Sequence, residues 1–279
     1  MNRIESYFRK ATLPVAFALA AFVVAGCGSD DDAAAATPTP VDPLGAIACT
    51  GAPADCVPLG TAGKYVILAM TGVTTTGTSA ITGHIGSASS SGNTTGFSET
   101  LDTSGTFATS AQVTGRMYAF NYAAPTPTEL TTATATDATA AFANADSKVL
   151  SGPAFTNVGA GILTGLTLAP GVYEWSTGVS VASGGTVTLA GTATDVWVFK
   201  ISGGITMNPG ATVTLTGALP QNVFWRTAGV ATLDTTSNLK GIVLSGSGIT
   251  LANGASVNGR LIASTNVTLI ANTVTRPAP

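Results

Sequence analysis

Two stretches far apart in the chain carry one pattern: Thr71–Ala88, TGVTTTGTSAITGHIGSA, and Ser247–Ser264, SGITLANGASVNGRLIAS, align without a gap. Self-similarity of this kind marks a repeat architecture and decides the fold. Five C-terminal segments share its core: Val179-Ser180-Val181, Ile205-Thr206-Met207, Ala231-Thr232-Leu233, Ile249-Thr250-Leu251 and Val267-Thr268-Leu269. The central residue is Ser or Thr and its neighbours are apolar. Strict alternation points the apolar pair inward and the hydroxyl outward. The steps between the hydroxyls are 26, 26, 18 and 18 residues. Val73-Thr74-Thr75 is an N-terminal sixth copy, with Thr75 turned inward.

Each repeat holds two further strand-like pieces. The second reads Thr186-Val187-Thr188-Leu189, Thr212-Val213-Thr214-Leu215, Ser256-Val257-Asn258 and Thr273-Val274-Thr275. The third is apolar on both sides: Val196-Trp197-Val198-Phe199, Val223-Phe224-Trp225, Gly241-Ile242-Val243-Leu244 and Arg260-Leu261-Ile262-Ala263. Gly, Asn and Pro punctuate the corners. Three short strands per turn predict a mostly β chain folded as a β-solenoid of triangular cross-section. A strand apolar on both sides must be covered from outside. The cover is read as one long α-helix packed along that face. Thr126-Pro127-Thr128-Glu129 has the form of a capping box with Pro at the first helical position. Leu130, Ala133, Ala138, Ala141, Phe142 and Ala145 follow near helical spacing, to about Lys148.

The N-terminus divides differently. Arg3, Arg9 and Lys10 precede an apolar run from Ala11 to Val24, and Val24-Ala25-Gly26-Cys27 resembles a bacterial lipobox. That resemblance implies a signal peptide over residues 1–26, cleavage before Cys27, and lipidation of its thiol. The alternatives are an ordinary signal peptide or a membrane helix, for which the run is short. Gly28 stands where Asp would suggest inner-membrane retention, which favours an outer-membrane or cell-surface lipoprotein that could also be released. Residues 27–57 read as a lipidated, flexible tether with Asp30-Asp31-Asp32, an alanine run and Thr-Pro-Thr-Pro. After Cys27, Cys49 and Cys56 remain; export favours a disulfide between them over two free thiols.

Residues 58–279 are long enough for one domain with a sizeable core. Charged residues make up only 9% of the chain and the net charge is −3, with no basic patch, which argues against nucleic acid. The only histidine, His84, aligns with Arg260 and is expected as a solvated residue at an exposed corner. One His leaves no His cluster for zinc and argues against a Ser-His-Asp triad. No CxxC pair, P-loop or HExxH occurs. Among the few carboxylates of this region only Glu99 and Asp102 are close in sequence, and nothing around them resembles a catalytic motif. No enzyme activity, cofactor or metal is expected.

The outward column Thr74, Ser180, Thr206, Thr232, Thr250, Thr268 is the most regular candidate surface. Stacked strands lie about 4.7–4.9 Å apart, so the column is a row of short hydroxyl side chains at near-constant spacing. Its β-branched members are stiff at χ1 and lose little entropy on meeting a flat, periodic ligand. Exposed Thr also suits a strand without any ligand. A second outward column, Ala182, Asn208, Asp234, Ala252 and Ile270, is less regular. The second-strand face is a rival, interrupted by Lys240.

Residues from about Leu59 to Arg276 resemble the microbial ice-binding protein family with a discontinuous β-solenoid. The phrases that carry the resemblance are Tyr65-Val66-Ile67-Leu68-Ala69, Ile81-Thr82-Gly83-His84-Ile85-Gly86, Gln112-Val113-Thr114-Gly115, Pro125-Thr126-Pro127, Ala169-Pro170-Gly171-Val172-Tyr173-Glu174-Trp175, Val196-Trp197-Val198-Phe199, Asn222-Val223-Phe224-Trp225 and Val257-Asn258-Gly259-Arg260. They occur in family order; the family usually has Asp where His84 stands. The resemblance implies a discontinuous right-handed solenoid in which N- and C-terminal turns interleave beside the helix. It also implies that one flat face binds ice. By position that face is the row above, with Thr94 or Thr95 added from an N-terminal turn and Asn208 at its edge. The expected partners are an ice crystal surface and, through Cys27, a membrane; the protein is read as a monomer. The competing reading is a surface adhesin or glycan-binding β-solenoid.

Overall fold

The computed structural model describes residues 48–278, all within the compact unit spanning 42–279. The signal segment, Cys27 and the first part of the tether lie outside the described residues.

The alternating segments form a parallel stack of seven strands: Val179–Val181, Ile205–Met207, Ala231–Leu233, Ile249–Leu251, Asn266–Ile270, Gly72–Thr76 and Thr94–Thr95. The second and third strand-like pieces share a larger, mostly parallel sheet. In two repeats they fuse into one strand through the corner, Asn238–Ser245 and Ser256–Ala263. Gly241 and Gly259 sit opposite one another at that corner, and a Cβ on Gly259 would lie 1.7 Å from the Gly241 carbonyl oxygen. Only glycine lets the two backbones approach this closely.

Both ends of the chain build one coil together. Thr273–Thr275 supplies its second strand, pairing with Ser256–Ala263 on one side and Ala80–Thr82 on the other. Its third strand is Tyr65–Ala69, which pairs with Ser256–Ala263 and with His84–Ser87. This shared coil lies between the two stretches that align in sequence. Thr250, Thr268 and Thr74 stack in register, as do Val257, Val274 and Ile81, and Leu261, Ile67 and Ile85. The gap-free alignment therefore relates coils two steps apart.

Inside the stack the apolar partners of each hydroxyl are buried with Trp175, Trp197 and Trp225. Tyr173, Phe199 and Trp225 are opposite one another on successive strands, with ring centroids 5.3 and 4.1 Å apart. The three indole N–H groups donate to the carbonyls of Val158, Leu168 and Lys240, so these large side chains leave no buried donor unpaired. The outer side of the third strands forms a second apolar layer, in which Val198, Phe224, Ile242, Leu244 and Ile262 meet the helical segment.

That segment comprises α1 (Thr126–Thr131), a π-helical stretch over Thr132–Ala138, and α2 (Thr139–Ser147). Leu130, Ala133, Ala138, Ala141, Phe142 and Ala145 are all buried in it. The step from Ala133 to Ala138 is five residues, which an α-helix would rotate off the core-facing stripe. The wider π turn keeps both alanines inward. Thr134 Oγ1 donates to Leu130 O at 2.7 Å and Thr139 Oγ1 to Thr134 O at 3.2 Å, side-chain bonds that compete with the α ladder.

Two expectations are corrected. Thr126–Glu129 does not form a capping box: Thr126 is the first helical residue and its hydroxyl donates to Thr106 O at 2.5 Å. Glu129 pairs instead with the Lys64 ammonium at 3.0 Å. Thr126 is buried against a carbonyl that needs a donor, and Glu129 has a cation within reach; both outcompete the local cap. His84 is not a solvated corner residue, being only 2% exposed. Its Nδ1 accepts from Arg116 N at 2.8 Å, and its ring packs edge-on against Tyr118, 5.7 Å away. It starts a third-face strand, so it falls beneath the cover that keeps that face dry.

Residues 48–57 are held against the domain. Cys49 and Cys56 are joined by a disulfide, Thr50 N donates to Asn222 Oδ1 at 2.9 Å, and Lys148 Nζ donates to Ala54 O and Cys56 O.

Candidate functional site

The seven-stranded stack brings Ser180, Thr206, Thr232, Thr250, Thr268, Thr74 and Thr95 into one continuous register, in that order. Their order in space is not their order in sequence: Thr74 and Thr95 follow Thr268 because the shared coil interleaves the two ends. Each residue is flanked in its own strand by side chains turned into the core, and each is itself partly or fully exposed. Among the described residues, the hydroxyls of Ser180, Thr206, Thr232, Thr250, Thr74 and Thr95 have no protein partner and are free for water. Thr268 Oγ1 accepts from Asn266 Nδ2 at 3.0 Å, which fixes its orientation.

Asn208 stands off the row. Its Nδ2 donates to Val181 O at 2.8 Å, the same carbonyl that its backbone N–H uses, so its side chain clasps the preceding coil at the turn. Ala182, Asp234 and Ala252 stand just past their strands and Ile270 ends its own, and none of their side chains makes a comparable hydrogen bond. Thr94 is the inward residue of its pair, buried while Thr95 is exposed.

Two features of this face lie beyond the sequence reading. Two residues before each hydroxyl, and on the same side, runs a column made mainly of glycine: Gly178, Gly204, Gly248 and Gly72, interrupted by Val230, Asn266 and Asn93. A Cβ on Gly204 would lie 2.2 Å from Val230 O, and one on Gly72 would lie 2.5 Å from Asn93 O, so glycine stands where neighbouring backbones approach closely, and Gly72 and Gly248 are themselves buried. Beyond it stand Thr177, Ser247, Thr265 and Thr71 at the corner, tied along the stack by Thr71 N to Thr265 O and Thr265 N to Ser247 O. The second feature is Ile162, which bridges to Ser180 in parallel and is 59% exposed, so it stands at the end of the row. Only the stacking identifies either feature, because glycine columns and an isolated bridge carry no alternation.

The rival face is more densely hydroxylated and less even. Thr186, Thr212, Asn238, Ser256 and Thr273 are in register, and so are Lys240, Asn258 and Thr275. Asn238 Nδ2 donates to Ser256 Oγ at 2.7 Å, so part of its polar surface is satisfied internally. The Lys240 side chain stands in its middle.

Several of the remaining charged groups have structural partners. Glu174 pairs with Lys200 and Asp146 with Arg226, each at 3.0 Å, beside the end of α2. Burial raises the Glu99 carboxyl above its usual range, partly offset by a hydrogen bond from Tyr122, whose phenol is pushed up to about 12 by its own burial and by Glu99. Asp102 is held below its ordinary value by hydrogen bonds from Ser104 and stabilises a turn. Among the described residues no group of three His, Cys, Asp or Glu side chains could hold a metal.

A sequence model of the family described as Ice-binding-like matches residues 67–275. An ice-binding protein of Lentinula edodes is 46% identical over 186 residues, covering 66% of this chain and 63% of its own length. An ice-binding protein of Flavobacterium frigoris is 35% identical over 234 residues, covering 82% of this chain and 79% of its own. The solved ice-binding protein from an Arctic yeast, studied for its antifreeze activity, superposes with a TM-score of 0.76 at 38% identity, over 81% of this chain and 96% of that one.

Proposed function

Because this chain belongs to the ice-binding-like family, we propose that it is an ice-binding protein that adsorbs to ice through the first-strand face and thereby slows ice growth and recrystallisation. The observation that carries this reading is the in-register row Ser180, Thr206, Thr232, Thr250, Thr268, Thr74, Thr95. Stacked strands set its repeat at about 4.7–4.9 Å. The hydroxyls hold water at that repeat, and the methyls between them leave the water few alternative arrangements. A layer ordered in this way joins the lattice of an advancing crystal. The bound protein then pins the front, which must curve outward between neighbouring molecules, and growth stops until the temperature falls further.

The row is stiff before ice arrives. β-Branched χ1 angles are restricted, and the strands beneath are packed on a core of Val, Ile, Leu and Trp, so little entropy is lost on adsorption. No step of this action breaks a covalent bond, and we assign the chain no catalytic role and no cofactor. Three strand faces per repeat fit a coil of triangular section, and we take its hand as right-handed, the rule for parallel strands joined by a crossover.

In this reading the chain is exported, cut before Cys27 and lipidated there, and residues 27–57 link a monomeric domain to an outer-membrane or cell-surface anchor. A tethered ice face either protects the cell's surroundings or holds the cell to ice. A glycan-binding solenoid would present aromatic rings in a groove. Phe120, near the hairpin end of the stack, is the one aromatic among the large exposed apolar side chains described.

The deciding experiment is crystal shape and thermal hysteresis of the purified chain on a nanolitre osmometer. Faceted crystals with a freezing gap are expected. Unshaped, freely growing crystals from folded protein would end this reading and lead to a glycan screen.

A further inference from the structure

The row does not end at Ser180. Ile162 pairs with Ser180 in parallel, and Leu163 N donates to Ser180 O at 2.8 Å. Gly161 and Leu163 on either side are buried while Ile162 is 59% exposed, the alternation already seen in Val179-Ser180-Val181. Ile162 is therefore an eighth rung facing out beside Ser180, with isoleucine where the other seven carry a hydroxyl. The chain reaches this rung by a costly path. Asn157, Gly159, Ala160 and Gly161 have φ of 49°, 60°, 50° and 85°, a region that residues with a Cβ seldom occupy. The segment is pinned there. Asn157 N donates to Glu174 O at 2.8 Å, Ser176 N donates to Asn157 Oδ1 at 2.9 Å, and Trp175 Nε1 donates to Val158 O at 2.9 Å. Backbone strain persists only where the surroundings over-determine it. What this strain delivers is a large apolar side chain set in water, which burial alone would not favour.

Resting on the ice-contact reading above, we infer that Ile162 is itself an ice contact, the apolar end of the row. Isoleucine and threonine share a branched Cβ with a γ-methyl on it, and the branch restricts χ1 in both. Ser180 has no methyl of its own. Ile162 on one side and Thr206 on the other supply the methyls that confine the water held by the Ser180 hydroxyl. Seating against ice also removes the apolar surface of Ile162 from liquid water, which favours adsorption. The contact is lengthened from seven rungs to eight, a span of seven inter-strand steps or about 33 Å.

The test compares Ile162→Thr, Ile162→Ala and Ile162→Asp in the full chain by nanolitre osmometry, with thermal unfolding on the same samples. The site is exposed, so unfolding midpoints should stay near the parent value. The threonine variant keeps the branch and its methyl and should keep the freezing gap. The alanine variant loses both and should lower it. The aspartate variant also disturbs the water on Ser180, so two of the eight rungs are lost and the gap should fall by roughly a quarter at equal concentration. Val149 is the control: it is 85% exposed and follows Lys148, whose carbonyl accepts from Lys200 on the third-strand side. Val149→Ala and Val149→Asp should leave the gap unchanged. A folded Ile162→Ala or Ile162→Asp variant with the full gap overturns the inference. Equal losses at Val149 overturn it as well, because the gap would then follow overall surface polarity. So does a loss in Ile162→Thr as large as in Ile162→Ala, because the branched methyl would not be what ice meets. Thr232→Tyr separates these failures from failure of the underlying reading: if Thr232→Tyr keeps the full gap, the face itself is wrong. If it abolishes the gap while the Ile162 variants change nothing, only the role of Ile162 falls.

Discussion

The backbone N–H of Asn272 donates to the hydroxyl of Ser79 at 3.1 Å, across 193 positions of sequence. This bond stitches the last coils of the chain to the first ones. Asn272 is buried, and its amide does more: Nδ2 donates to Ala252 O at 2.7 Å and to Ala255 O at 3.0 Å, and Oδ1 accepts from Ile270 N. The Ser79 hydroxyl is hydrogen-bonded in turn to Thr75 Oγ1 at 2.8 Å, and its backbone N–H donates to Gln112 Oε1. Asn272→Ala leaves the Ile270 N–H without its partner and removes a second donor from each of the Ala252 and Ala255 carbonyls, which keep Ala255 N and Thr273 N. A loss of about 2 kcal/mol is expected, lowering the unfolding midpoint by roughly 4–8 °C for a domain of this size. Calorimetry of the variant measures it. An unchanged midpoint would mean that this corner is not where the two ends are held.

The face assignment is tested by a matched pair of bulky substitutions. Thr232→Tyr places a ring in the row, and Thr188→Tyr places the same ring on the second-strand face. Both sites are at the surface of regular strands, so each variant should stay within about 0.5 kcal/mol of the parent in stability. Thr232→Tyr is expected to remove most of the freezing gap and Thr188→Tyr to leave it intact. The reverse pattern would transfer the activity to the second-strand face, where Lys240 already breaks the flatness.

Much of this face is legible in the sequence because alternation is a local signal. Val-Thr-Leu fixes which side chain faces out whatever the coil packs against, and the two aligned stretches fix the register of the coils between them. The helical cover is legible for the same reason: the third strands are apolar on both sides, and even the π turn shows in the five-residue step from Ala133 to Ala138. What is lost depends on partners brought from afar. His84 is buried by Tyr118 and bonded to Arg116, and the Thr126 hydroxyl is drawn to Thr106, contacts that no spacing rule near those residues reveals. The glycine column is invisible for a third reason. Glycines recurring before a strand look like turn punctuation until stacking shows them to be one column with Val230 inside it.

Ice contact and stability should respond differently to pH. No residue of the hydroxyl row titrates, so the freezing gap should be flat across mildly acidic and neutral conditions. Stability should not be. Burial raises Glu99 above its ordinary value of 4.5, so the folded state holds this proton more tightly than the unfolded chain does. Its contribution is therefore fully present below the unfolded value and is lost as pH rises through the folded one. Glu99→Gln, which stays neutral, should remove that part of the decline. Unfolding midpoints of both proteins across this range measure it, and parallel curves would refute the assignment.

The most direct map of the face comes from a sugar. Asn266-Val267-Thr268 has the Asn-x-Thr form that eukaryotic secretory pathways glycosylate. Its acceptor side chain is exposed in the column beside the row, within hydrogen-bond reach of Thr268 Oγ1. A glycan there would stand over the interior coils, since Asn266 follows Gly248 and precedes Gly72 in the stack. Protein secreted from yeast and modified at Asn266 should fold normally yet show no freezing gap. Asn266→Gly from the same host should escape modification and regain the gap, because glycine is what Gly248 and Gly72 already place on either side. Asn93-Thr94-Thr95 is a second acceptor, at the end of the row beside Thr95, and a glycan there should only trim the activity. Full activity with Asn266 occupied, established by mass spectrometry of the active fraction, would place the ice contact on another side of the stack.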